Sequence, residues 1–293
     1  MAIEIAVISG KGGTGKTTFS AAFAALAEDI VIADCDVDAP DMHILLQPDL
    51  RETMEFQSSK VASIDNNACT ECGICIENCR FGAAIPPEIN AVACEGCGVC
   101  SYLCPEKAVT MKDRVSGMLY YSETRFGPMS HAKLLPGEGN SGKLVTDVRR
   151  QAQEMAKERG AGHILIDGSP GIGCPVIATI AGIGLGVIVT EPTMSGIHDM
   201  NRVVELLSRL KIPAAVIVNK YDLNPENAER IRRYCDENGL HMLGKVPFDS
   251  VLTKSMVAAK TFPEYAPNHD ITNLMRLMWS EIRTILSEGE KGR

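Results

Sequence analysis

Two groups of residues in the 293-residue sequence are spaced for chemistry. The first is Gly10-Lys11-Gly12-Gly13-Thr14-Gly15-Lys16-Thr17, which fits G-x-x-x-x-G-K-[ST] in full. Glycines let backbone N–H groups converge on phosphate oxygens, and the start of a following helix adds its dipole. The expected phosphate cradle is Gly12, Gly13, Thr14, Gly15, Lys16, Thr17 and Thr18. Within it Lys16 should reach the β- and γ-phosphates, and the Thr17 hydroxyl should ligate Mg²⁺. A glycine-rich turn without function is the alternative. It is disfavoured because the loop follows the apolar run Ile3 to Ser9 and opens the helix-forming run Lys16 to Ala27. The second group is cysteine. Of 11 in the chain, eight fall between Cys69 and Cys104, and Cys69, Cys72, Cys75 and Cys79 recur 25 residues later as Cys94, Cys97, Cys100 and Cys104. So regular a period signals two copies of one small unit.

Lys11 is a second lysine early in the phosphate loop. With it the sequence resembles the deviant Walker A ATPases of the MinD/ParA/Mrp superfamily, to which the nitrogenase iron protein also belongs. The resemblance implies ATP as the nucleotide and Lys11 acting across a dimer interface on the nucleotide of the other subunit. It implies that Asp36, in Asp34-Cys35-Asp36 after the second strand, positions water and Mg²⁺. In His163-Ile164-Leu165-Ile166-Asp167-Gly168-Ser169-Pro170-Gly171, Asp167 would hold the Mg²⁺ shell and Gly171 would sense the γ-phosphate. The implied catalytic set is therefore Lys11, Lys16, Asp36 and Asp167. A helix cap at a strand end is the bland reading of Asp167, which the ordered set disfavours. Asn219 would contact the base, and Pro247, in Val246-Pro247-Phe248-Asp249, lies where the family closes over it. Asn219-Lys220-Tyr221-Asp222 also reads as the Asn-Lys-x-Asp of guanine-specific GTPases, so the base is less fixed than the phosphates.

The cysteine spacing C-x₂-C-x₂-C-x₃-C, its second copy ending Cys104-Pro105, is similar to that of bacterial-type ferredoxins with two clusters. That resemblance implies two [4Fe-4S] clusters with crossed ligation: Cys69, Cys72, Cys75 and Cys104 on one, and Cys94, Cys97, Cys100 and Cys79 on the other. Arg80 departs from the pattern, standing where a proline is usual. Zinc is the alternative, disfavoured because its sites take two close cysteines per loop. Cys174 reads as a small buried residue, or as an interface ligand for a further metal or cluster in a dimer.

Positioning these residues requires a strand before the phosphate loop, a helix after it and further strands that deliver Asp36 and Asp167. The sequence supplies them. Strands are expected at 3–9, 30–33, 163–166, 186–190, 214–218 and 242–246, and helices at 16–27, 143–159, 196–210 and 225–238. The uncharged stretch between Asp167 and Glu191 is rich in Gly and Pro, and reads as a loop, a short helix and a buried strand rather than a membrane span. Such alternation implies an α/β fold: a mostly parallel P-loop NTPase sheet with helices on both faces. The expected domains are 1–59 with 113–293 for the ATPase and 60–112 for an inserted small α+β ferredoxin-like domain. Residues 113–142 read as a hairpin and loop. The amphipathic stretch from Ile271 to Leu286 reads as a core-docking helix, because Glu281, Glu288 and Glu290 dilute the basic face that anionic lipid wants.

The net charge of −8 disfavours phosphate-backbone binding. No nucleic-acid partner is therefore expected. The diluted C-terminal face argues against membrane association, and the residues Met1 to Ile8, which carry no basic n-region and run into the glycine loop, imply a cytoplasmic location. The leading functional expectation is an ATP-hydrolysing iron–sulfur protein that couples a nucleotide-dependent dimer switch to electron transfer or metallocluster assembly. Its partners would be a second copy or a related ATPase, and a redox or metallocluster client. The alternative is a MinD/ParA-like spatial organiser with redox-sensing or structural clusters. A simple electron carrier with a degenerate nucleotide site fits poorly with intact Lys16, Thr17, Asp36 and Asp167.

Overall fold

In a computed structural model, residues 2–291 are described, and they fall into two compact units. The first comprises residues up to Thr53, Leu119–Lys133 and the chain from Ser141 onward; the second comprises Met54–Met118 and Leu134–Asn140.

In the first unit, β1 (Ile3–Ser9) leads through the glycine loop into α1 (Lys16–Leu26), then β2 (Ile30–Asp34) and α2 (Met42–Leu46). β3 (Asp49–Ile64) and β6 (Val109–Thr124) begin or end here and run on into the second unit. After β7 (Gly127–Leu134) come α5 (Ser141–Arg159), β8 (His163–Pro170), α6 (Cys174–Ile180), β9 (Leu185–Thr190) and α7 (Met194–Arg209). Then follow β10 (Ala214–Asn219), α8 (Pro225–Glu237), β11 (His241–Val246), α9 (Ser250–Val257), α10 (Phe262–Tyr265) and α11 (Asp270–Lys291).

The sheet has the order β11-β10-β9-β1-β8-β2-β7-β6-β3. Every pairing from β11 through β7 is parallel. β2, β9 and β10 are buried along their whole length, as strands covered on both faces must be. Their residues are almost all Val, Ile, Leu and Ala, so the burial removes apolar area from water. The polar exceptions, Asp34, Thr190 and Asn219, stand at the strand ends. The strands expected at 3–9, 30–33, 163–166, 186–190, 214–218 and 242–246, and the helices expected at 16–27, 143–159, 196–210 and 225–238, are found to within a few residues, whereas α2, α9 and α10 had no counterpart in the sequence reading. The charge-free stretch resolves into the loop after β8, α6 and β9.

Below the sheet, α11 seats Ile271, Met275, Met278, Trp279 and Ile282 in the core, with the Trp279 ring stacked 5.7 Å from Phe23 of α1. Its apolar stripe is therefore occupied by the protein itself. Among the described residues, no helix is long and apolar enough to cross a membrane.

The second unit carries the remaining lengths of β3 and β6, two short helices, α3 (Ile74–Glu77) and α4 (Val99–Leu103), and the two-stranded antiparallel hairpin β4 (Ala84–Ile85) and β5 (Glu88–Ile89).

Candidate phosphate site

Parallel pairing sets β2 beside β8 with Asp34 opposite Asp167, and β1 beside β8 with Val7 opposite Asp167. Three strand ends therefore converge on the loop between β1 and α1. Gly15 occupies the cap position of α1 at φ +94°, a conformation that suits glycine. A Cβ there would come within 2.6 Å of Asn219 Nδ2. Without a side chain at the cap, nothing from residue 15 covers the first N–H groups of α1, and these are the groups an anion would take.

Asp167 is fully buried and organises the site. Lys16 Nζ lies 3.1 Å from its Oδ1 and 3.6 Å from Asp36 Oδ2. The Thr17 hydroxyl donates to Asp167 Oδ2 at 2.8 Å, and the Ser20 hydroxyl donates to Oδ1 at 2.7 Å. Asp34 Oδ1 accepts from the backbone N–H of Asp36 at 3.1 Å, which fixes the turn that presents Asp36. Burial disfavours a charged Lys16, but Asp167, Asp36 and Asp34 outweigh it and hold the ammonium above its ordinary range. Burial raises Asp36 to about 6 against the pull of Lys16, with Asp167 adding repulsion. Burial and Asp167 together push Asp34 well up.

The residues fit a triphosphate with Mg²⁺. Thr14 Oγ1 and Asp34 Oδ2 are buried polar atoms without a hydrogen-bond partner, and both belong to the segments that would face such a ligand. Gly12 and Gly13 have open space where a Cβ would stand. Lys16 supplies buried positive charge, and Thr17 with Asp167 supplies the hard oxygen donors that Mg²⁺ takes.

The other expected residues lie around this centre. Asn219 Nδ2 donates to Thr14 O at 2.8 Å and thereby supports the loop. Gly171, at φ +96°, donates its N–H to Ser9 O at 2.8 Å. The Thr18 hydroxyl faces Met256 Sδ of α9 at 3.8 Å. Pro247 follows β11, and the next residue, Phe248, donates its N–H to Asp222 Oδ1 at 2.6 Å. Lys11 does not join Asp36 and Asp167. Its ammonium contacts Thr193 Oγ1, Ser195 Oγ and Glu191 Oε2 in its own chain. Ser20, Glu191, Thr193 and Ser195 had no place in the sequence reading. Ser20 was detectable, since it lies one helical turn after Lys16 and must share its face. Glu191 offered only the signal that it ends a long uncharged stretch.

The cysteine segment requires a correction. Cys79, Cys94, Cys97 and Cys100 line one cavity, and Cys69, Cys72, Cys75 and Cys104 line another. All are free thiols, and no group of three or more His, Cys, Asp or Glu side chains among the described residues is arranged to hold a metal ion. The two [4Fe-4S] clusters, the ferredoxin-like reading of the insertion, and the electron-transfer and metallocluster roles built on them are therefore not supported. Spacing supplied the thiols, but metal ligation needs sulfurs converging to about 2.3 Å from one centre. Two of the thiols accept backbone hydrogen bonds: Ala83 N–H donates to Cys79 Sγ and Ala108 N–H to Cys104 Sγ, each at 3.3 Å. Burial raises Cys75 and Cys100. For Cys79 burial acts upward as well, but the N–H groups of residues 81–84 prevail and lower it. Cys174 is exposed at the start of α6, its Cβ against Gly142, and forms no metal-holding group either.

Residues 5–262 match the CobQ/CobB/MinD/ParA nucleotide binding domain, a span that runs across the cysteine segment. An uncharacterized protein of Methanocaldococcus jannaschii is 35% identical over 228 residues, covering 77% of this chain and 80% of the relative. The iron-sulfur cluster carrier protein of Pyrococcus horikoshii is 24% identical over 293 residues, covering 90% of this chain and 84% of that protein. Among solved structures, the septum site-determining protein MinD complexed with Mg-ADP from Pyrococcus horikoshii superposes with a TM-score of 0.61 at 16% identity, covering 99% of both chains. The ATP complex of Cyanothece McdA(D38A) superposes with a TM-score of 0.59 at 13% identity, covering 98% of this chain and 96% of that one.

Proposed function

We propose, from the premise that this chain belongs to the CobQ/CobB/MinD/ParA nucleotide-binding family and is a P-loop ATPase, that it works as an organiser of the MinD/ParA kind. In this reading two copies close on ATP, the closed dimer captures a partner macromolecule, and hydrolysis releases it. The supporting observation is the division of labour between two lysines of one loop. Lys16 is buried against Asp167 and Asp36, whereas Lys11 is engaged at the side of the loop and its side chain stays 30% exposed. A lysine placed so is available to a second copy. The similar structures add support: one is of MinD complexed with Mg-ADP, another of McdA(D38A) with ATP.

The reaction is attack of water on the γ-phosphorus, with rupture of the bridging bond to the β-phosphate and release of ADP and inorganic phosphate. Mg²⁺, when bound with ATP, would be held by Thr17 and Asp167 and would neutralise charge on the phosphates. Asp36 carries the carboxylate nearest Lys16 that is not wholly buried, and it orients the attacking water. Lys16, and Lys11 from the second copy, stabilise the charge that gathers on the transferred group.

Sedimentation velocity with ADP, ATP and no nucleotide tests this. ATP should convert monomer to dimer, Lys11→Ala should prevent it, and Asp36→Ala should trap the dimer. A chain that hydrolyses ATP as a monomer, indifferent to Lys11, would refute the reading.

A further inference from the structure

The carboxylate of Glu191 stands between two ammonium groups. Lys220 Nζ is 2.5 Å from Oε1, and Lys11 Nζ is 3.5 Å from Oε2. The Glu191 side chain is only 14% exposed, so its charge depends on these two partners. They hold it unequally. Lys220 has the short contact and reaches Gly13 O of the phosphate loop at 3.5 Å. Lys11 has the long one, with two hydroxyls, Thr193 Oγ1 and Ser195 Oγ, at 3.3 Å each.

The place where Lys11 rests is poor for a cation. Thr193 caps α7, accepting from Gly196 N–H at 3.0 Å, and Ser195 lies in the first turn of that helix. A helix N-terminus carries partial positive charge, which repels an ammonium. Glu191 is the one carboxylate within ion-pairing distance of Lys11 among the described residues, and Lys220 already draws on it. The triphosphate of a second copy offers several negative charges and no such repulsion.

We propose that Glu191 is a positioning residue for Lys11, a carboxylate divided with Lys220 that keeps Lys11 beside its own loop in the single chain and yields it when a second nucleotide-bound copy approaches. This rests on the reading that Lys11 acts in trans. It also gives Glu191 and Lys220 opposite effects. Glu191→Gln removes the hold on Lys11. Lys220→Met leaves Glu191 undivided and strengthens the hold.

Two measurements on the full chain test this. The first is the rate at which an N-hydroxysuccinimide ester acetylates Lys11 in nucleotide-free monomer, read by peptide mass spectrometry. Glu191→Gln should raise that rate about fivefold and Lys220→Met should lower it, the scale of one partly exposed ion pair. The second is the ATP concentration for half-dimerisation by sedimentation velocity. It should fall about fivefold in Glu191→Gln and rise in Lys220→Met. Loss of a merely structural bridge between Glu191 and Lys220 would move both variants the same way, and that result overturns the proposal. So does Lys11 labelling that ignores Glu191→Gln. A wild-type chain that stays monomeric in ATP, with labelling shifted as described, rejects the trans role while retaining Glu191 as the group that holds Lys11.

Discussion

Asp167 accepts hydrogen bonds from Thr17 and Ser20 and an ion pair from Lys16, so its two oxygens tie the phosphate loop to the end of β8. Removing Lys16 would leave Asp167, Asp36 and Asp34 facing one another with no buried cation among them. Lys16→Ala should therefore lower nucleotide affinity at least about tenfold, the scale of one charge-assisted contact, and also lower stability in the nucleotide-free state. Asp36→Ala should behave differently. Titration calorimetry should show ATP affinity changed only a few-fold, while hydrolysis falls by about 10²–10⁴, the scale of a lost proton-handling group. Equal losses of binding and turnover would mean that Asp36 only shapes the pocket. Gly10 gives a purely steric case. A Cβ at this position would sit 2.5 Å from Asp199 Cβ and 2.6 Å from the Asp199 backbone carbon and oxygen. A helix backbone cannot give way as a side-chain tip can, so Gly10→Ala should cost about 1–3 kcal/mol in chemical denaturation. Gly10, Lys16 and Thr17 were legible because a phosphate loop fixes both residue type and spacing. The partners of Lys11 were not, since they lie 180 or more positions away and follow no local pattern.

Between elements, a buried polar link joins β1, α5 and α6. Glu4 of β1 and Arg149 of α5 are each 8% exposed; Arg149 also donates to Ala178 O of α6 at 2.6 Å, and Gln153 donates to Glu4 at 3.2 Å. Cutting one member strands the other in a dry site. Arg149→Met should cost about 3–5 kcal/mol, and the double variant with Glu4→Gln should recover a large part of that. At the far side of the parallel strands, His131 of β7 hydrogen-bonds Ser122 Oγ at 2.9 Å and stacks 5.0 Å from Tyr120. Burial, with His43 adding repulsion, pushes its imidazole down to about 4. The folded value lies below the unfolded one of about 6.5. The fold therefore keeps this stabilisation fully above the unfolded value and loses it as pH falls through the folded value. Stability should fall by about 3 kcal/mol across that window, and His131→Phe should flatten the slope in urea titrations run at successive pH values. The apolar run that located β1 said nothing of the pair, and β7 with its histidine lies in residues 113–142, which read as a hairpin and loop. Alternation reports which residues face inward, whereas the partner of a buried charge is chosen by packing between helices distant in sequence.

Across the whole chain, the α/β alternation was readable because each strand of the parallel sheet must be apolar and each helix amphipathic, whatever the ligand. The cysteine segment was misread because spacing constrains chain order and leaves sulfur geometry open. Its thiols now give a map of the molecule that can be measured. Cys72, Cys97 and Cys174 are exposed, the six other cysteines of the repeat are half-buried, and Cys35 and Cys235 are buried. Burial, with Asp34 beside it, raises Cys35 well above the ordinary thiol range, and burial with Asp236 raises Cys235 to about 11. A thiolate-specific reagent at neutral pH reacts with the accessible, ionisable fraction only. In the folded chain Cys72, Cys97 and Cys174 should react first and the remaining thiols of the repeat more slowly. Cys35 and Cys235 should react only on unfolding. Because the two buried residues belong to the nucleotide-binding unit, adding ATP should slow their labelling further, by the factor with which ligand binding suppresses opening of that unit. Slow reaction of Cys72 and Cys97 together with fast Cys174 would mean that something covers the repeat in the purified protein. Fast Cys35 would mean that β2, and with it the Asp34 and Asp36 turn, is not packed against Asp167.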